Sequence, residues 1–468
     1  MRIAVCLRVG TDGEAGPFDA SAYEVALATP QAEVILVSMG APKAGETLRR
    51  LTRLGAARAV LLCDPLFAGS DTLATAYILS CALRKLNPDR ILCGRKTLIG
   101  DTGQVPPMLA EMLERPLIPN VLTADGENAK TREGERKIPP RVLLAVEKQA
   151  VLRLPSLASK TGTVELWSAA GIGADPARCG LGGSPTRVLE TRENTSGRRK
   201  CRFIQPEELP GVFAEAMRRG QESAELPSGG ERLPCVLAVG DGAMEYAWTI
   251  CSDPIPVSLG TVAELAERIV REKPDAVLFG NDTESKETAA RLAARLGLGL
   301  CADCTSVRVE NGRTVLFRPA LSESLIAKIV SNTAPALATV RCHGGEHAPV
   351  TVAAGYGVRD QLDRVRTLSH RLGAEFAVSR KLVDGGYAPY REQVGLTGKT
   401  ISPVVYLAVG ISGAVHHIAG MDRSGTVIAI NPDPDAPIFD YADVGIRGSF
   451  ETCEKMLLQI GYCRTQGA

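Results

Sequence analysis

The chain has no long apolar run, few aromatic residues and almost no net charge, and these absences exclude several classes of protein. No stretch of about 20 apolar residues occurs, so we expect no membrane span. Lys and Arg number 54 and Asp and Glu 53, a net charge of +1. Nucleic-acid-binding proteins carry a clear basic excess, so we expect no nucleic-acid partner. Apart from its aromatic share of 4%, the composition is that of an ordinary globular protein.

The amino terminus and the cysteines predict a cytoplasmic protein. The start, MRIAVCLRVGTDGE, alternates apolar residues and lacks the apolar core of a signal peptide. The 13 cysteines are odd in number and scattered through apolar segments, which is typical of reduced core thiols. Cys301 and Cys304 have the spacing of a metal-binding pair, but no second pair accompanies them, so we expect no metal site.

Short apolar strands alternate with amphipathic helices along most of the 468 residues, a pattern typical of parallel sheets with helical crossovers. Residues 71–86 show the helical period, with Asp71 as the N-cap. This length favours about three domains. We therefore predict an α/β protein with three doubly wound parallel-sheet domains, two of them similar to each other.

Changes in composition predict the domain boundaries. Charge, Gly, Ser and Pro are concentrated in residues 191–232, which we interpret as a linker. The remaining chain divides into a first domain at residues 1–190, a second at 233–342 and a third at 343–468.

The first two domains contain a diverged internal repeat. PDRILCG at residues 88–94 matches PDAVLFG at 274–280, and a helix follows each. In the first copy the helix is preceded by the loop IGDTGQV at residues 99–105; in the second copy Ser285 stands as a capping serine. A Gly-rich loop that opens onto a helix presents backbone N–H groups to an anion. The loop therefore predicts a phosphate site in the first copy, with an ordinary turn as the alternative.

In the third domain, polar and Gly-rich motifs follow four predicted parallel strands. They are Ser379-Arg380, VGLTG at residues 394–398, GISGAVHH at 410–417 and the strand IAIN, which ends at Asn431. Ligands of open α/β sheets bind at these carboxyl ends. Ser412 and Gly413 precede a predicted helix and suit a pyrophosphate. No G-x-G-x-x-G occurs there, which disfavours an ordinary NAD-binding domain.

These motifs resemble those of the electron-transfer flavoproteins, with the beta subunit fused ahead of the alpha subunit. Residues 38–40, 67–75, 99–113 and 178–187 resemble the beta subunit, and residues 379–450 resemble the FAD domain of the alpha subunit. The resemblance implies two similar nucleotide-fold domains, an adenine nucleotide in the first only, and a C-terminal FAD-binding domain.

The resemblance also implies roles for individual residues in binding FAD. Arg380 matches the arginine beside the isoalloxazine, which favours the reduced, anionic flavin; Thr397 matches the hydroxyl near N5; His417 matches the histidine near the O2 carbonyl. Further matches to groups of the FAD site are Ser379, Gly395, Gly398, Ser412, Gly413 and Asn431.

The beta-like half carries two further implied sites. One is the loop that holds AMP in most members of the family and a second FAD in the electron-bifurcating ones; it consists here of Gly100, Asp101, Thr102, Gly103, Gln104 and Val105. The other is Leu157, which matches the recognition-loop leucine that docks into dehydrogenases. The implied partners are a flavoprotein dehydrogenase, such as an acyl-CoA dehydrogenase, and a quinone oxidoreductase or ferredoxin-type acceptor.

Three residues depart from the family pattern and keep alternatives open. Tyr356 replaces an arginine that helps to bind FAD, Leu396 replaces a glutamine and Ser449 an aspartate. The expected function is an electron carrier that accepts electrons through FAD and passes them on. One alternative is an NADH-oxidising, electron-bifurcating flavoprotein with two FADs, towards which Gly100 points; another is a binding module without flavin.

Overall fold

A computed structural model describes most of the chain as two compact units. The described residues are all of 1–468 except 11, 98–99, 101, 149–150, 194–197, 223–229, 241, 281, 321–324, 342–348, 396–397, 400, 423 and 466–468. Unit 1 contains residues 1–192 and 230–340, and unit 2 contains residues 193–229 and 341–468. Strands are numbered β1 to β24 and helices α1 to α12 along the chain.

The first half of unit 1 is a nine-stranded sheet in the order β7-β6-β5-β8-β4-β1-β2-β3-β9. Its pairs are parallel except those made by β6. The central strands are almost wholly buried, as in parallel sheets covered on both faces. The strands are β1 (Arg2–Cys6), β2 (Glu33–Met39), β3 (Arg58–Leu62), β4 (Arg90–Gly94), β5 (Leu117–Ala124), β6 (Asn128–Thr131), β7 (Gly134–Lys137), β8 (Leu143–Val146) and β9 (Thr163–Trp167), and the helices are α1 (Pro17–Leu27), α2 (Ala44–Thr52), α3 (Thr72–Leu86) and α4 (Val105–Met112).

The second half of unit 1 repeats this architecture on a smaller scale. Its five parallel strands lie in the order β13-β12-β14-β19-β15, which matches the order β2-β1-β4-β8-β5 within the first sheet. The predicted internal repeat is therefore confirmed. The strands are β12 (Val236–Val239), β13 (Ile255–Val257), β14 (Ala276–Phe279), β15 (Leu300–Cys304) and β19 (Ala336–Val340), and the helices are α6 (Ala243–Ile250), α7 (Val262–Glu272) and α8 (Thr283–Leu296).

The two copies are joined by a shared sheet and by side-chain contacts. A four-stranded sheet in the order β10-β18-β17-β16 takes one strand from the end of the first copy and three from the second. Glu111 of α4 forms ion pairs with Arg291 and Arg295 of α8, at 3.5 and 2.6 Å. The strands of this sheet are β10 (Thr186–Glu193), β16 (Ser306–Glu310), β17 (Arg313–Ala320) and β18 (Leu325–Ser331).

The predicted serine cap of α8 is wrong. The helix begins two residues before Ser285, and the N-cap is Asp282, whose carboxylate accepts a hydrogen bond of 2.9 Å from the backbone N–H of Ser285. A carboxylate accepts this bond and also interacts favourably with the positive end of the helix. Ser285 itself is buried in the first turn.

Unit 2 is a six-stranded sheet in the order β11-β24-β23-β22-β20-β21. The registered pairs are all parallel. From β20 onward the spatial order is 2-1-3-4-5, a doubly wound arrangement whose direction reverses between β20 and β22. The strands are β11 (Arg202–Phe203), β20 (Val350–Ala354), β21 (Glu375–Val378), β22 (Val405–Val409), β23 (Thr426–Asn431) and β24 (Val444–Arg447), and the helices are α5 (Leu209–Glu222), α9 (Leu362–Arg371), α10 (Arg380–Asp384), α11 (Val415–Ile418) and α12 (Phe450–Thr465).

The segment predicted as a linker, residues 191–232, is largely part of unit 2. Strand β11 pairs with β24, Arg202 opposite Val444, and Leu209, Phe213 and Ala216 of α5 lie in the core of that unit. These three residues share one helical face, a pattern that the surrounding charged, Gly- and Ser-rich sequence hid. Residues 194–197 and 223–229 of the segment, and the predicted boundary at 342, lie outside the described residues.

Asp71 is the N-cap of α3, as predicted. One carboxylate oxygen accepts hydrogen bonds of 3.0 Å from the N–H groups of Leu73 and Ala74, and the other accepts bonds of 3.0 and 2.7 Å from the backbone and hydroxyl of Thr186. One side chain therefore starts a helix and holds the first residue of β10 against it.

We expect Asp71→Ala to destabilise unit 1 by about 2 to 4 kcal/mol, because a cap and two bonds to a charged group are lost together. Thr261→Ala removes the corresponding cap of α7 in the second copy and should cost only about 1 kcal/mol. Urea unfolding followed by circular dichroism would measure both changes. Equal shifts of the midpoint would show that the bonds to Thr186 contribute nothing.

Candidate functional site

Unit 2 has a cavity of about 540 Å³ at the carboxyl ends of its parallel strands. Its walls come from the segments that follow β20, β21, β22 and β23, and it lies at the reversal between β20 and β22. Ligands of doubly wound sheets bind at this point, and the volume falls within the usual range of roughly 300 to 1,000 Å³ for cofactor sites.

Most of the residues predicted to bind FAD lie around this cavity. Gly398 and Gly413 do not line it, and Thr397, with the neighbouring Leu396, lies outside the described residues. The structure thus brings together residues from four separate segments of the sequence. Those that line the cavity are Ser379, Arg380, Gly395, Ser412, His417 and Asn431.

Glycines let the turns at the cavity approach one another closely. A Cβ at Gly355 would lie 2.0 Å from the carbonyl oxygen of Gly410, and a Cβ at Gly413 would lie 2.1 Å from the backbone nitrogen of Ile438. Gly413 also has a φ of +90°. No other residue fits these two positions. Gly413 does not line the cavity, but it lets the turn after β22 pack closely against the backbone of Ile438. The helix that follows, α11, is a single short turn beginning at Val415.

His417 is a buried, neutral imidazole in this site. Its ring is 6% exposed, and Nε2 lies 2.8 Å from the hydroxyl oxygen of Tyr406. Burial lowers the pKa of His417 to about 4, and an interaction with the Val394 backbone opposes this only in part. Within the described structure Nδ1 makes no hydrogen bond of good geometry. The site therefore contains a polar atom that has been taken out of water and is available for a further interaction.

Arg380 brings positive charge to the cavity. It is the first residue of α10, and its Nε donates to Asp384 at 3.1 Å, with 38% of the Arg380 side chain exposed. Among the described residues, this ion pair uses one of the five guanidinium N–H donors of Arg380, which leaves donors that can reach an acceptor in the cavity. Lys381 lines the same cavity.

Asn431, which also lines the cavity, makes two hydrogen bonds within the protein. Its amide nitrogen donates to the carbonyl oxygen of Ile411 at 2.8 Å, and its side-chain oxygen accepts from the N–H of Asp433 at 3.0 Å. The side chain therefore connects the turns that follow β22 and β23.

Two of the departures from the family pattern fall in the described structure. Tyr356 lines the cavity, and Nζ of Lys381 lies 4.2 Å from the centroid of its ring. A cation is thus present beside the tyrosine that replaces an arginine. Ser449 precedes α12, where its carbonyl accepts from the Thr452 hydroxyl at 2.7 Å, and it does not line the cavity.

Unit 1 has a second cavity, of about 400 Å³, at the corresponding edge of the first sheet. Three basic residues, Arg8, Arg95 and Lys96, line it, and Arg95 is paired with the buried Glu147. Positive charge and a Gly-rich loop are suited to a phosphate group. The loop residues that line this cavity are Gly100, Thr102, Gly103, Gln104 and Val105; Asp101 lies outside the described residues.

The loop in unit 1 is anchored by Gln104. Its amide nitrogen donates to the carbonyl oxygen of Leu300 at 3.1 Å, and its side-chain oxygen accepts from the hydroxyl of Thr72 at 2.7 Å. Gln104 therefore fixes the loop against α3 and the second copy. Gly103 has a φ of +64°, in the left-handed region that favours glycine.

Asp19 is a functional candidate that the sequence reading missed. It lies in the first turn of α1, is 5% exposed, lines the cavity of unit 1 and accepts from the N–H of Arg8 at 2.9 Å. Burial raises the pKa of Asp19 to about 7, against the opposing effect of backbone bonds from Arg8 and Gly94 and the charge of Arg8. The sequence pattern around Asp19 is that of an ordinary acidic residue at a helix start, and its burial is not visible in that pattern.

Leu157 lies on a largely exposed loop of unit 1. The exposed fractions of Val151, Leu154 and Leu157 are 92, 90 and 104%. Three apolar side chains so close in sequence and so exposed are typical of a protein-binding surface.

The described residues contain no group of three or more His, Cys, Asp or Glu side chains that could hold a metal ion. In the same part of the chain, no helix combines the length and apolar character needed to cross a membrane.

Asp19 gives unit 1 a specific pH dependence. Since the folded-state pKa is raised, the protonated carboxyl favours folding fully below about pH 4, and this contribution is lost as the pH rises to about 7. The difference is on the order of 4 kcal/mol. We expect Asp19→Asn to abolish this part of the dependence of the thermal midpoint on pH, and the exposed-site control Asp253→Asn to retain it. Parallel pH profiles for all three proteins would contradict the assignment.

Comparison with known proteins agrees with this architecture. The electron transfer flavoprotein domain model matches residues 3–170 and 255–350, and the electron transfer flavoprotein FAD-binding domain model matches residues 346–422. The first of these covers more than half of the chain.

Three curated relatives illustrate the similarity. The alpha subunit of the electron transfer flavoprotein of Mycobacterium leprae is 36% identical over 254 residues, 45% of this chain and 76% of the relative. Protein FixB of Azotobacter vinelandii is 31% identical over 303 residues, 51% of this chain and 83% of the relative. Subunit LctC of the lactate dehydrogenase (NAD(+),ferredoxin) of Acetobacterium woodii is 33% identical over 242 residues, 42% of this chain and 58% of the relative. The chain belongs to the electron transfer flavoprotein family.

Proposed function

We propose that this protein is an electron carrier that accepts electrons through FAD from a flavoprotein dehydrogenase of the acyl-CoA dehydrogenase type and passes them to a second redox partner. The cavity of unit 2 carries this proposal, because six predicted FAD residues from four separate segments converge there. Five of them, all but Asn431, lie within residues 346–422, which match the FAD-binding domain of the family. The proposal includes a cytoplasmic location.

The residues of the cavity fit a flavin nucleotide. FAD, when bound, supplies the electron-transfer chemistry, and the protein supplies binding, orientation and electrostatics. Ser379 and Ser412 offer hydroxyl groups, and the glycine turns allow close backbone approach. Arg380 contributes positive charge, which favours a reduced, negatively charged ring, and the buried His417 retains an unused polar atom.

We infer further that the chain joins a beta-subunit-like half to an alpha-subunit-like half. In this assignment residues 1–190 bind an adenine nucleotide, 233–342 form the alpha-like N-terminal domain and 343–468 bind FAD. The repeated strand order of the two copies supports the assignment. The basic cavity of unit 1 and its loop from Gly100 to Val105 support AMP or a second FAD as the ligand.

The alternative is an NADH-oxidising, electron-bifurcating flavoprotein with two FADs. The relationship to LctC favours it, since the name of that protein includes NAD(+) and ferredoxin, and so does Gly100 in the loop. The two functions differ in the ligand of unit 1.

The loop with Val151, Leu154 and Leu157 is the proposed docking surface for the dehydrogenase. Its exposed apolar side chains gain most from burial against a partner. The second partner in this scheme is a quinone oxidoreductase or a ferredoxin-type acceptor.

The number of FAD and AMP molecules per chain tests the function. The purified protein is denatured and the released nucleotides are quantified. We expect one FAD and one AMP; two FADs would support the bifurcating alternative, and a protein that binds no FAD even when it is supplied would refute both.

A variant pair assigns the second nucleotide to unit 1. Gly103→Val places a β-branched residue at a positive φ in the loop and should expel the second nucleotide while FAD is retained. Gly126→Val is the control, because a Cβ there meets no atom within 4 Å. Equal nucleotide content in both variants would reject the assignment.

For Arg380→Ala we expect a folded, FAD-containing protein with a lower flavin potential, because a positive charge beside the reduced ring is lost. The effect should be on the order of 1 to 3 kcal/mol, or roughly 20 to 65 mV for a two-electron couple. Spectroelectrochemistry measures it, with Arg371→Ala, an exposed position on α9, as the control. If both variants keep the parent potential, Arg380 does not act on the flavin.

A further inference from the structure

A tyrosine and a histidine form a hydrogen-bonded pair in the core of unit 2. Tyr406 lies on the buried strand β22 and is 0% exposed, His417 lies on α11, and the hydroxyl oxygen is 2.8 Å from Nε2. A buried polar group without a partner costs free energy. The two side chains therefore satisfy each other, and neither can change its protonation without affecting the other.

Both members of the pair are neutral at physiological pH. Burial raises the pKa of Tyr406 well above its ordinary value, so the hydroxyl keeps its proton. Burial lowers the pKa of His417 to about 4. A neutral imidazole has one N–H donor and one acceptor nitrogen, so either the tyrosine donates to Nε2 or Nε2–H donates to the tyrosine.

Two observations distinguish these arrangements. If Nε2–H donated, the hydroxyl proton of Tyr406 would need another acceptor, and the described residues provide none. In addition, the geometry leaves Nδ1 without a hydrogen bond among the described residues, so no protein group competes for a proton there. Since Nε2 faces Tyr406, the ring atom that carries the proton is Nδ1.

We propose that Tyr406 is a positioning residue whose hydroxyl donates to Nε2 of His417 and fixes the imidazole as the Nδ1–H tautomer. The ring then presents a donor beside Val394 and Gly395, which line the same cavity. A donor held in this place favours a ligand atom that accepts hydrogen bonds and gains negative charge, such as a carbonyl oxygen of a reduced flavin. The identity of this ligand rests on the proposed function, but the tautomer does not.

Nuclear magnetic resonance reads the tautomer directly. The chain has five histidines, so long-range ¹H–¹⁵N spectra of histidine-labelled protein at pH 7 are simple, and His417→Gln identifies the signals. We expect a protonated Nδ1 and an unprotonated Nε2. A protonated Nε2 in the parent protein would overturn the proposal, with or without bound flavin.

Tyr406→Phe keeps the aromatic ring and removes only the hydroxyl. We expect the ratio of Nδ1–H to Nε2–H tautomer to fall roughly five- to tenfold, the effect of one hydrogen bond on an equilibrium. The flavin potential should move to lower values while the FAD content stays that of the parent. An unchanged tautomer, or a changed tautomer with an unchanged potential, would show that Tyr406 has no positioning role.

Tyr23→Phe is the matched control. Tyr23 is a buried tyrosine of unit 1, 1% exposed, whose hydroxyl donates to the carbonyl oxygen of Leu51 at 2.8 Å. Its replacement should alter neither the His417 signals nor the flavin potential. If the parent protein binds no FAD, the proposed function fails, while the tautomer of the parent still decides the proposal for Tyr406. The same spectrum is decisive if Tyr406→Phe does not fold.

Discussion

The close contact between the turns that follow β20 and β22 determines the geometry of unit 2. With 2.0 Å between a hypothetical Cβ of Gly355 and the carbonyl oxygen of Gly410, the two backbones touch at the point where the strand order reverses. Because no side chain fits between them, the relative position of these two turns is set by the strands that they follow. The groups that follow the other strand ends, Ser379 and Asn431 among them, are placed in the same way by the strands before them.

The two copies of the repeat in unit 1 differ in the segment that precedes the corresponding helices α4 and α8. In the first, α4 is preceded by a loop with a left-handed glycine, and that loop is anchored through Gln104. In the second, the corresponding helix α8 starts directly from the Asp282 cap. The bond from Gln104 to Leu300 runs from the loop of one copy to a strand of the other. The second copy thus supports the Gly-rich loop of the first, although its own corresponding loop is shorter.

The sequence was sufficient for features that depend on local pattern. Periodicity and spacing predicted the strand ends, the Asp71 cap and the repeat, and all three are present in the structure. Features that depend on tertiary contacts could not be predicted from the sequence. Tyr406 reads as one more apolar position of a buried strand, and Asp19 as a solvated acid. The helix α5 was hidden because its neighbours in sequence are polar, although Leu209 and Phe213 already had helical spacing.

The two cavities share one electrostatic design. Burial shifts one interior group of each cavity towards its neutral form: it lowers the pKa of His417 to about 4 and raises the pKa of Asp19 to about 7. The cations lie where water still reaches them: the side chains of Arg380 and Arg95 are 38 and 26% exposed. Taking a charge out of water is costly, and the desolvation penalty can exceed the attraction that the charge gains inside. Cations at the rim and groups shifted towards neutrality inside suit a ligand whose charged part stays partly hydrated while its neutral part enters a dry site.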